Sequence, residues 1–197
     1  GTQQVALVVA DIAMFFQMTT AGILQRLSAL YGDRYTDRNV VLTATHTHCG
    51  PGGHGQHILY NITTAGFHRR TYERIVAGVV EAISRAVDDL APSTLVLNHG
   101  ELTNASANRS QAAFDLDPAE DRGHFPGSVD SMTTLLRIER DDALVGAINW
   151  FAVHNTSMTN RNRLISSDNK GWAAYSWESE GTAPRTGDAE LVTAFAQ

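Results

Sequence analysis

Val40-Val41-Leu42-Thr43-Ala44-Thr45-His46-Thr47-His48-Cys49-Gly50-Pro51-Gly52-Gly53-His54 is the stretch on which the reading of this chain turns. The apolar run over 40–44 predicts a buried strand, and Thr-His-Thr-His brings two imidazoles to its end. In extended backbone, side chains alternate faces, so His46 and His48 point one way and Thr47 the other. Both rings can then serve one site, as two metal ligands or as one ligand and one proton carrier. Imidazole is the commonest metal-ligating side chain, and catalytic zinc sites use three protein ligands with one position open. Two histidines fall short of that number. From these residues alone, a histidine-rich surface loop or a pair of hydrogen-bonded core histidines stays open. Gly50-Pro51-Gly52-Gly53 favours function, because small residues able to take φ > 0 let backbone come close to a ligand. Cys49 reads either as a thiol nucleophile or, more simply, as a small residue filling a tight turn.

Upstream, Val5 to Ala10 is a second short apolar run, and it ends at Asp11, which either orients a site residue or caps the next turn. Between the two runs, Thr19-Thr20 can cap a helix reaching about Tyr31, with Ile23, Leu24, Leu27 and Leu30 as one stripe and Gly32-Asp33 as its stop. Strand, helix and strand make a βαβ unit, for which parallel pairing is the default. Downstream, Thr71 opens the clearest helix. Tyr72, Ile75, Val76, Val79, Val80, Ile83, Val87 and Leu90 fall on one face, Glu73, Arg74, Glu81, Arg85 and Asp88 on the other, and Pro92 stops it.

Thr94 to Leu102 reads as another strand, followed by the polar segment Asn104 to Ser110. Arg109 within it is either a solvated loop charge or an anchor for a carbonyl or carboxylate. Residues 115–127 read as a surface excursion. Met132 to Glu139 and Ala143 to Val153 are strands joined through Arg140-Asp141-Asp142 as a hairpin, and the second delivers His154. His154 thus repeats the setting of His46, and two such strand ends at one edge of a single sheet would converge on one crevice. Leu164 to Gly171 is a polar turn leading into a short aromatic helix through Glu178, and Glu190 to Ala196 begins a last helix. The fold class expected is α/β, a mixed, largely parallel sheet with flanking helices and a site at strand ends, in one domain.

The chain has 197 residues with 43% hydrophobic content, enough for a proper core. With net charge −6 and no Lys/Arg cluster, nothing supports a nucleic-acid surface. No stretch reaches the roughly 18 apolar residues of a membrane span. Gly1 opens no signal-peptide pattern, which a mature or excised chain would also lack. A single cysteine excludes an internal disulfide framework.

Four blocks occur in order: Thr45-His46-Thr47-His48 with Gly50-Pro51-Gly52-Gly53, then Asn108-Arg109-Ser110, Trp150-Phe151-Ala152-Val153-His154 with Thr156-Ser157-Met158, and Ser167-Asp168-Asn169-Lys170-Gly171. Together they resemble the N-terminal catalytic domain of the neutral ceramidases. The resemblance implies hydrolysis of the ceramide amide to sphingosine and fatty acid at a Zn2+ ion. It makes His46 and His154 zinc ligands and places His48 and Arg109 at the substrate as catalytic and binding groups. The family's serine after the second histidine is Cys49 here. A further glutamate and tyrosine complete the family's ligand set downstream, so this chain is expected to be part of a longer enzyme, incomplete at both ends, with the rest of that enzyme as partner. A ceramide or related N-acyl sphingolipid substrate, peripheral membrane contact and a secreted or cell-surface location follow as expectations. The rival readings are a serine or cysteine amidase, and a non-catalytic fragment that binds lipid or a partner.

Overall fold

A computed structural model describes residues 3–180 and 191–197. The elements run β1 (Ala6–Ala10), α1 (Gln17–Tyr31), β2 (Val40–Ala44), α2 (Ile58–Asn61), α3 (Arg69–Asp88), β3 (Thr94–Glu101), α4 (Gln111–Phe114), α5 (Ala119–Gly123), β4 (Met132–Arg140), β5 (Ala143–Phe151), α6 (Asp168–Glu180) and β6 (Val192–Ala196). By its contacts the chain forms two compact units. The first runs up to Pro92 and resumes over Asn155–Trp172; the second comprises Ser93–His154 and Ala173–Gln197.

In the first unit β1 and β2 pair in parallel, from Ala6 opposite Val40 to Ala10 opposite Ala44, with α1 as the crossover. Ile23 and Leu27 of α1 and Val76, Val79, Val80 and Ile83 of α3 pack with Val8 and Tyr35 into one core. Ile23, Leu27 and Val76 are wholly buried; each contributes about 1.5–3 kcal/mol by leaving water. Leu30 and Leu90, at the ends of their stripes, stay exposed. Helix α1 starts earlier than its threonines suggest. Phe16 precedes its first turn without a side-chain cap, and Thr19, inside the helix and fully buried, donates its hydroxyl to the His54 carbonyl at 3.4 Å. Helix α3 likewise begins at Arg69 rather than Thr71.

The helices meet closely at Gly22, where an added Cβ would collide with the Tyr72 hydroxyl. Gly22→Ala is therefore expected to lower stability by about 1–3 kcal/mol despite alanine's better helix propensity. At Gly78, on the exposed side of α3, an added Cβ meets nothing within 4 Å, so Gly78→Ala should raise stability by about 0.5–1 kcal/mol. Thermal melts of the two variants, shifting in opposite directions, check both.

The second unit is a sheet in the order β3-β4-β5-β6. β3, β4 and β5 are antiparallel neighbours. Asp141 and Asp142 carry φ of 49° and 64°, so the β4–β5 connection is a two-residue hairpin loop whose left-handed backbone matches the strand twist. The register shifts between Ile138 and Glu139, a bulge that leaves Val145 as the extra residue. Val192–Ala196 is a strand, parallel to β5 from Gly146 opposite Val192 to Trp150 opposite Ala196. A last helix over 190–196 is thus corrected; Glu190 itself lies outside the described residues. The α6 side chain Glu178 fixes this strand by accepting the Thr193 N–H at 2.7 Å and its hydroxyl at 3.1 Å, and Trp177 packs edge-on against Phe195.

The class is α/β with mixed pairing and flanking helices, but the described strands divide between two sheets. β2 and β5 do not share an edge. No helix among the described residues is long and apolar enough to cross a membrane.

Candidate metal centre

His46 follows β2 by two residues, and its backbone continues the ladder: the Thr45 N–H bonds Ala10 O at 2.9 Å and the His46 N–H bonds Ile12 O at 3.1 Å. At φ 61° His46 is left-handed, a conformation costing a non-glycine residue of order 1–2 kcal/mol and concentrated at functional sites. Thr45 and Thr47 are buried, while His46 is half-buried and His48 exposed. The alternation read from the sequence survives, although the segment lies beyond the strand.

The His46 ring is fixed as well. Its Nδ1 lies 2.8 Å from the Ala13 carbonyl. A carbonyl only accepts, so Nδ1 carries the hydrogen and Nε2 presents its lone pair. His48 Nε2 stands 3.3 Å from that atom. A backbone carbonyl on the second nitrogen is the usual outer support of a ligating histidine, which fits His46.

His154 is the last residue of this stretch of the second unit, and the first unit resumes at Asn155. Asn155 beside it is fully buried; its carbonyl accepts the His48 N–H at 3.4 Å, and its Nδ2 donates to Ser167 O at 3.0 Å. One ring nitrogen each of His46, His48 and His154 lies within 4.8 Å of the others, a group able to hold a metal ion. Within the first unit, hydrogen bonds to Asn155 and Ser166, not a shared sheet edge, hold the loop of His46 and His48. Arg109 sits exposed in the second unit, in the loop between β3 and α4, where Ser110 N–H bonds Asn108 Oδ1 at 2.7 Å.

A groove of about 340 Å3 opens beside His46 and His48, with Gly52, His54, Tyr60 and Thr64 in its wall. Gly53 shapes it: φ is 77°, its carbonyl accepts the His68 N–H at 2.7 Å, and a Cβ there would strike the His68 ring. Cys49 closes the turn, its N–H on Thr47 Oγ1 at 3.2 Å and its carbonyl accepting the Ser166 N–H at 2.9 Å. His54, which nothing in the sequence sets apart from the remaining histidines, is 2% exposed, stacks edge-on against Phe16 and is held towards its neutral form by burial. Asp168 and Lys170, quoted in the sequence only as parts of a block, are also buried.

Comparisons with known proteins give the family. The family model for the neutral/alkaline non-lysosomal ceramidase N-terminal region matches residues 1–197. A neutral ceramidase of Mycobacterium tuberculosis is 49% identical over all of this chain and 31% of its own length. That of Pseudomonas aeruginosa is 43% identical over 95% of the chain and 27% of its length. A crystal structure of the Pseudomonas aeruginosa neutral ceramidase superposes with a TM-score of 0.88 at 42% identity, covering 97% of this chain and 30% of that one. A ceramidase complexed with C2 superposes at 0.90, with 42% identity over 97% of this chain and 29% of that one. The chain spans about three tenths of the length of these relatives, and it belongs to the neutral/alkaline non-lysosomal ceramidase family, matching its N-terminal region.

Proposed function

We propose that the histidine group holds Zn2+ and that the protein hydrolyses the N-acyl amide of ceramide or a related N-acyl sphingolipid, giving sphingosine and a fatty acid. The observation that carries this reading is His46, its Nδ1 tied to a carbonyl and its Nε2 aimed into a group of three imidazoles. The donor set suits a borderline-soft cation that favours nitrogen ligands. His46 and His154 are assigned as ligands. The glutamate and tyrosine of the family pattern are assigned to the length of the relatives beyond the matched region.

Zinc, when bound, would polarise the amide carbonyl and lower the pKa of water towards neutrality. The rest falls to side chains of this protein. A neutral amide has a poor leaving group, so the departing nitrogen needs a proton as its bond to carbon breaks. His48, exposed beside the groove, is assigned to take that proton from water at Nε2 and deliver it to the amine. Arg109 is assigned to hold the polar head of the lipid through its planar fork of N–H donors. Peripheral membrane contact and a secreted or cell-surface location belong to the same proposal, on the strength of the family resemblance.

Metal content and hydrolysis of a fluorescent ceramide test the reading, on this chain alone and joined to the downstream part that its relatives have. The joined protein should carry zinc, lose hydrolysis to a chelator and regain it with added zinc. Chelator-resistant activity abolished by a thiol reagent would transfer the chemistry to Cys49. Absence of both metal and hydrolysis would leave a lipid- or partner-binding role.

A further inference from the structure

The loop that starts at His154 returns at Asp168, which is 5% exposed. One carboxylate oxygen of Asp168 accepts the Ser157 N–H at 3.1 Å and the Asn169 N–H at 2.7 Å, and the other accepts the Met158 N–H at 3.0 Å. Its own N–H donates to Ser166 Oγ at 3.0 Å, and Asn169 Nδ2 donates to Ser157 Oγ at 2.9 Å. Asp168 has φ 56°, backbone strain that persists only where the surroundings enforce it. Three backbone donors on one buried carboxylate make strong, charge-assisted bonds.

Residues beside Asp168 grip the other histidine loop. Ser166 accepts the Thr47 hydroxyl at 2.8 Å through its carbonyl and donates its N–H to Cys49 O at 2.9 Å, while Ser167 O receives Asn155 Nδ2. Residues 155–158 are thus clamped onto residues 166–169, and the latter are bonded to the loop of His46 and His48.

We propose that Asp168 is the positioning residue of the candidate metal centre, fastening residues 155–158 and 166–169 to the loop that carries His46 and His48. This rests on the metal reading for its purpose, not for its mechanics. The carboxylate touches neither substrate nor metal; it acts through backbone.

Asp168→Asn keeps a side chain that tolerates φ > 0 but puts an NH2 group against N–H donors. Asp168→Gly accepts the same φ without strain and removes the clamp, so it covers the case in which the asparagine variant fails to fold. Amide hydrogen exchange of the metal-free protein should accelerate at least tenfold at Ser157, Met158 and His48 and stay unchanged at Ile23 and Val76. Zinc affinity in competition with a chelator should weaken about 10- to 100-fold, the size usual for outer-shell partners, with the metal-free melting temperature shifted by no more than a few degrees. An unchanged His48 amide, or equal acceleration in the core, overturns the proposal, as does wild-type zinc affinity in a variant with a loosened loop. If the unaltered protein binds no zinc, the metal reading fails, and the exchange pattern still decides whether Asp168 positions the loop.

Discussion

His46→Ala and His154→Ala are each expected to lose bound metal and at least about a thousandfold in ceramide hydrolysis, whereas His48→Ala and Arg109→Ala retain metal and lose about 10^2- to 10^4-fold, the range for a general acid–base group or a preorganised donor. The contrast follows from how each ring is held. His46 has its Nδ1 hydrogen committed to the Ala13 carbonyl and only Nε2 to offer, the arrangement of a ligand. His48 is exposed at the groove, where a ring can exchange protons. With the two Nε2 atoms 3.3 Å apart, the pair offers a sharp alternative: a His48→Ala protein emptied of metal beside a His46→Ala protein that keeps it would exchange the two roles. His46→Asn is the useful control, since asparagine tolerates the left-handed backbone and separates loss of the ligand from loss of the loop. Metal analysis with steady-state kinetics on the same preparations gives the answer.

The second large effect concerns alkaline pH. Lys170 is 3% exposed, and burial pushes its ammonium down from the usual lysine range to about 8. The unfolded chain therefore holds this proton to higher pH than the folded one, and stability contributed by the group rises as pH climbs from about 8 to 10.5. The slope approaches about 1.4 kcal/mol per pH unit, and the whole window is worth about 3 kcal/mol. Below pH 8 the charged form burdens the fold by that amount. Denaturant midpoints between pH 7.5 and 10.5 should rise relative to Lys170→Met, which lacks the titrating group. Parallel curves would show that Lys170 keeps an ordinary affinity for its proton.

Sequence order served well where structure is local. The β1-α1-β2 unit, the amphipathic α3, the β4–β5 hairpin and the strand-end setting of His46 all follow from periodicity and turn chemistry within short windows. Residues 192–196 misled because a five-residue strand has no shape of its own; it is made by β5 and Glu178, which lie elsewhere in the chain. The common facing of His46 and His48 is legible in their alternation with the buried Thr45 and Thr47. β2 and β5 belong to different sheets, and the bonds that hold the loop of His46 and His48 run to Asn155 and Ser166, polar residues indistinguishable in sequence from an ordinary turn. His54 was illegible on similar grounds, since its burial depends on Phe16, 38 positions earlier.

The hydroxyl of Thr47 finds its acceptor, Ser166, 119 positions further on. On a translating ribosome, adding 5–20 residues per second, the imidazole pair emerges roughly 6–24 s before the segment that fastens it. Until then the nascent polypeptide has only loose histidines to offer, and a cation captured early would be held as weakly as by any flexible peptide. In the proposed reading, a cation is held firmly only once residues 155–169 have emerged and bonded to that loop.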